Sequence, residues 1–136
     1  MKLGIAEILE NASKIEDNNK KIEYLRQQDN PTLRMVLQYA YSPSIKWLLP
    51  EGNPPYKENQ LVDQQSRLYT EARKFYLFVE GGNPNLKQIR REFLFIELLE
   101  VVDPKDAVLL LAMKDKKLPY PNLTPELIQQ TFPGLF

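Results

Sequence analysis

Four times in this chain a residue able to cap a helix is followed at once by proline: Asn30-Pro31, Asn83-Pro84, Asp103-Pro104 and Thr124-Pro125. At the N-cap, a side-chain oxygen accepts a hydrogen bond from a backbone N–H that the helix leaves unpaired. Proline at the next position gives up an N–H that has no partner in any case. Each pair is therefore a helix-start signal, and no strand pattern in the chain is punctuated as clearly. Apolar spacing agrees. Ile5, Ile8, Leu9 and Ala12 follow i, i+3, i+4, i+7, and so do Leu33, Val36, Leu37 and Ala40. Leu68, Ala72, Phe75, Tyr76 and Val79 form a third stripe of helical period. Stops are legible too: Ser42-Pro43, Gly81-Gly82, and the cations Lys114, Lys116 and Lys117, which complement a helix C-terminus.

The sequence thus predicts helices near 3–14, 18–28, 31–41, 61–80, 85–102, 104–116 and 125–132. That is an all-α fold, a compact single-domain bundle of about seven helices over residues 1–136. The segment 85–102 is apolar on most sides past Phe93 and is expected to be the central helix. Leu49 to Gln60, with Pro50, Gly52, Pro54 and Pro55, reads as a surface loop.

Chemistry is bounded by what is missing. The chain has no cysteine and no histidine, which removes disulfides, thiolate chemistry, Ser-His and Cys-His pairs and imidazole metal ligands. Glu97 and Glu100 stand at i, i+3, but a di-metal bundle would want Glu-x-x-His partners, so they read as the polar strip of a buried helix. No phosphate-cradling glycine motif occurs, and Gly81-Gly82 reads as a helix stop. Asn53-Pro54-Pro55-Tyr56 reads as a loop turn. Acidic residues by Glu7 argue against a signal peptide, and Phe93 to Val102 is too short and too charged to span a membrane. No catalytic residue, metal site or cofactor is expected.

Binding is the remaining class. Lys plus Arg equals Asp plus Glu at 18 each, so attraction to nucleic acid would need a local patch. Lys87, Arg90 and Arg91 share one helical face, where Asn83 at the N-cap would add free amides suited to a phosphate. Lys114, Lys116 and Lys117 form a second group, and Lys14, Lys20 and Lys21 a third. The plainer alternative for each is a solvated face. Most aromatics fall on apolar stripes and read as core, whereas Tyr56 and Tyr120, in Pro-rich loops, are candidates for exposed contacts. At the C-terminus Gln129, Phe132, Leu135 and Phe136 have the spacing of short peptides that dock in the pocket of a sliding clamp. The alternative is a tail folded back onto the core.

IAEILENASKI and its Lys-rich turn, NPTLRMVLQYAYSPSIKWLLPEG, LLLAMKD and the closing LIQQTFPGLF occur in that order along the chain. This collinear set resembles the N-terminal helical DNA-binding domain of the ATP-dependent DNA ligases of T-even-like bacteriophages. The Lys-x-Asp-Gly motif of the ligases' nucleotidyltransferase domain is absent. The resemblance therefore implies a stand-alone, non-enzymatic module in the host cytoplasm, gripping the backbone of duplex DNA without reading sequence. It would do so with Lys87, Arg90, Arg91, Lys114, Lys116 and Lys117. One departure is Leu109, Leu110 and Leu111, where that family's penultimate helix is rich in arginine. The second expectation is a phage interaction protein docking on a replication or transcription component, such as a sliding clamp or polymerase. Basic groups converging on one surface would favour the first, and dispersed ones the second.

Overall fold

The computed structural model describes residues 3–136. Among these the architecture is all-α, seven α-helices and one 3-10 segment around a single apolar core. The helices are α1 (Ile5–Ser13), α2 (Asn18–Gln27), α3 (Pro31–Tyr41), α4 (Arg67–Glu71), α5 (Gln88–Val101), α6 (Pro104–Lys114) and α7 (Pro125–Thr131), with the 3-10 segment at Ala72–Phe78.

Three of the four cap–proline pairs start helices. Asn30 Oδ1 accepts from the Leu33 N–H at 2.8 Å, Asp103 Oδ2 from Lys105 at 3.0 Å, and Thr124 Oγ1 from Leu127 at 3.2 Å. Asp17 does the same for α2, accepting from Asn19 and Lys20. Each such cap contributes about 1 kcal/mol. The fourth pair does not. Residues 84–86 form a turn in which the Leu86 N–H reaches the Asn83 carbonyl at 3.2 Å, and α5 starts only at Gln88, with Lys87 at its N-cap and no side-chain cap. Asn83 therefore presents no helix amides to a phosphate.

The helix predicted over 61–80 forms only from Arg67 and tightens into the 3-10 segment at Ala72. Tertiary pairing sets its end. Val79 is held extended in an isolated bridge with Trp47, flanked by Leu48 N–H to Phe78 carbonyl and Glu80 N–H to Lys46 carbonyl, both 2.8 Å. Gly82 then passes so close to the 3-10 segment that a Cβ would lie 1.7 Å from the Tyr76 carbonyl oxygen, so only glycine fits.

The central helix is α6, not α5. It packs against α1, α3 and α5 and buries Ala107, Leu109, Leu110, Leu111 and Met113. Three consecutive buried leucines require neighbours on nearly every side. Leu109–Leu111 is thus core and not part of a surface that could meet DNA. α5 is covered by α6 and the 3-10 segment, which leaves its far face to solvent.

Candidate functional site

The cations that the sequence groups together are mostly drawn inward. Arg91 is 6% exposed. Its guanidinium donates to the carbonyls of Leu77 (2.9 Å), Asn83 (3.3 Å) and Leu86 (3.3 Å) and to Gln88 Oε1 (2.6 Å). A rigid five-donor fork suits this, because the turn between the 3-10 segment and α5 leaves several carbonyls without helical partners. Lys114 is 4% exposed, and its ammonium donates to the carbonyls of Pro50 (2.8 Å) and Gly52 (2.9 Å) and pairs with Asp115 at 2.5 Å. It fastens the proline loop to the end of α6. Lys21, also buried, spans the Asn122 carbonyl (3.3 Å) and Asn18 Oδ1 (3.5 Å).

Lys116 is half-buried on the Ser42 carbonyl, and desolvation lowers its pKa. It holds φ 57° in the left-handed position of a Schellman turn closed by Lys117 N–H to Ala112 carbonyl at 2.9 Å. Lys117 is exposed and paired with Glu51 at 3.0 Å, which raises its pKa. Of the six cations expected to meet phosphates, only Lys87 and Arg90 are exposed without an ion pair among the described residues. Arg91 and Lys114 are withdrawn into the fold.

The C-terminal residues are likewise engaged. Phe132 is buried with the Arg34 guanidinium 4.9 Å above its ring, Phe136 stacks on Tyr41 at 6.2 Å, and Leu135 is half-buried against the core. Only Gln129 of the four tail residues is exposed. The expectation of a tail that docks on a clamp is corrected: apolar side chains that would fill a clamp pocket already fill this core. Tyr56 and Tyr120 are also half-buried, and burial raises their hydroxyl pKa values, so they are not the exposed aromatics. Of the two paired acids, Glu100 accepts from the Lys57 N–H at 2.9 Å, while Glu97 stays exposed. Among the described residues no three carboxylates gather as metal ligands would.

Sequence reasoning missed the outer face of α5. Ile89 is 86% exposed and Phe93 53%, and with half-buried Ile96 they stand at i, i+4, i+7 on one helical face. The Arg90 guanidinium lies 5.7 Å above the Phe93 ring. Beside the stripe, the proline loop arches over α5 and encloses a cleft of about 250 Å³. Its wall is largely apolar, with Leu49, Pro54, Phe95 and Ile96, and Glu92 contributes to the lining. Ile96 and Glu92 border both stripe and cleft, so the two form one continuous surface. The signal is present in the sequence, since Ile89, Phe93 and Ile96 keep helical register, but periodicity alone does not say which side of an apolar helix meets solvent.

Comparison with curated proteins finds no match. The model of a family of unknown function, DUF6433, matches residues 8–120. That match spans α2 to α6 and most of α1, well over half of the chain, and the chain belongs to the DUF6433 family.

Proposed function

We propose that the chain is a non-enzymatic protein-interaction module that docks through the outer face of α5 and the adjoining cleft. The observation that carries this reading is the stripe Ile89, Phe93 and Ile96 opening onto an apolar cleft. Single exposed apolar side chains need no explanation, but an aligned set beside a concave apolar pocket is the form of a binding surface. The disposition of the cations weighs the same way. Of those six cations Lys87 and Arg90 remain exposed and unpaired among the described residues, and contacts from these two to about two phosphates would give a salt slope of only about −1.8 on a log–log plot.

Two measurements test the proposal. Anisotropy of labelled duplex, nicked and single-stranded DNA across a salt series is expected to show weak binding with that shallow slope. Affinity capture from nuclease-treated extracts of cells producing the protein is expected to retain a protein, a second copy of the chain included. The Ile89→Ser/Phe93→Ser variant should lose it. Tight duplex binding with a slope of about −3.6 or steeper, as four phosphate contacts would give, would overturn the proposal in favour of the DNA-gripping module.

A further inference from the structure

We infer that the partner of the α5 face is a second copy of this chain, bound by antiparallel two-fold pairing of α5 with α5; the inference rests on the interaction reading above. It begins from charge. Arg90 and Glu97 are both exposed, and neither takes part in an ion pair among the described residues. They lie seven residues apart on the same side of the stripe, about 10 Å along the helix axis, with Phe93 between them. Along this flank the outer face of α5 is thus basic toward its start, apolar in the middle and acidic toward its end, while Glu92 lies on the opposite flank.

A two-fold axis beside Phe93 superposes this pattern on its own complement. In the antiparallel pair Arg90 of one copy meets Glu97 of the other, twice, while Phe93 packs near Phe93. A surface that pairs with itself must satisfy this condition, residue i against j and j against i. The apolar parts fit the same operation. Ile89 and Ile96 are displaced oppositely from Phe93, so Ile89 of one copy falls beside Ile96 of the other. Ile96 lines the cleft, which places the most exposed apolar side chain of each copy at the mouth of its neighbour's pocket. A parallel two-fold pairing would carry this flank of the two copies to opposite sides of the axis, so Arg90 of one would not meet Glu97 of the other. A foreign partner would have to supply the complement that this face already carries. One helix pair with two clefts lies at the small end of specific interfaces, so association in the micromolar range is expected.

Light scattering coupled to size exclusion, on the full chain from about 1 to 500 µM, tests the pairing. The mass should rise from 15.9 kDa toward twice that value with concentration. Arg90→Glu and Glu97→Arg alone should each weaken association about tenfold or more, because each loses two cross-pairs and sets like charges opposite one another. The double variant Arg90→Glu/Glu97→Arg should return to within about threefold of the parent, since the swapped charges meet again only across the two-fold axis. Circular dichroism should show all of these variants folded, as both positions face solvent. A constant mass of 15.9 kDa, or a double variant no better than the single ones, would refute the pairing. A monomeric protein whose α5 face still captures a different protein would refute self-pairing alone. A monomer that captures nothing through α5 would refute the interaction reading as well.

Discussion

The buried carboxylate of Asp106 makes the fold sensitive to pH in a direction opposite to ordinary acid denaturation. Asp106 is 1% exposed and sits at the third position of α6, aimed at the start of α1. One oxygen accepts from the Ala6 N–H at 3.0 Å, and the other has no hydrogen-bond partner among the described residues. Desolvation outweighs the Ala6 hydrogen bond, and the charges of Asp103 and Glu7 add to it, so the pKa is pushed up from 3.8 to about 6. The folded chain therefore holds this proton more tightly than the unfolded chain between those values. The resulting stability is fully present below pH 3.8 and is lost as pH rises through about 6, by roughly 3 kcal/mol. Asp106→Asn removes the titration while its carboxamide oxygen can still accept from Ala6. Urea denaturation of parent and variant, followed by circular dichroism from pH 4 to 7.5, isolates the effect as a difference. Asp29, held down by its hydrogen bond to Arg34, and Glu71, whose desolvation is outweighed by Lys74 and Arg67, act in the opposite direction. Both are common to the two chains and cancel. The parent should lose about 2.5 kcal/mol relative to the variant between pH 4 and 7. Parallel stability curves across that range would show that Asp106 does not titrate as its burial requires.

Three further outcomes are expected from the packing. Arg91→Ala should lower stability by about 3 kcal/mol in urea denaturation, because the carbonyls of Leu77, Asn83 and Leu86 lose a buried charged donor. Phe132→Ala should cost about 3–5 kcal/mol in the same assay, as a core phenylalanine does, whereas a free docking tail would leave stability unchanged. Gly82→Ala should lower the melting temperature by several degrees, since its Cβ would overlap the Tyr76 carbonyl and the turn must move to admit it.

Local chemistry in the sequence located most helices because it acts over three or four residues. Asn30, Asp103 and Thr124 cap as their proline neighbours imply, and the stripes of α1 and α3 are buried where the period places them. The failures lie where distant contacts decide. Asn83 loses its helix to a turn gathered around Arg91, and the 3-10 segment ends where Trp47, 32 residues earlier, pairs with Val79. The exposed apolar face of α5 is illegible for the same reason. Once α6 takes the centre, the apolar excess of α5 must lie partly outside, and no local pattern says which of two apolar helices is central. Cation clustering misled because spacing along a helix reports proximity among side chains but not whether carbonyls from another segment wait for them.

The carbonyl-bound lysines have a consequence for how this molecule meets amine-reactive reagents. An ammonium enclosed by three acceptors, as at Lys114, cannot admit an acylating group while the proline loop is closed. Lys21 is similarly shielded between α2 and the Asn122 carbonyl. Exposed Lys20, Lys46 and Lys87 should label at once. The slower labelling of Lys114 and Lys21 would then time the opening of the loop and of the α2–α7 edge separately, giving two native clocks of local unfolding in one chain.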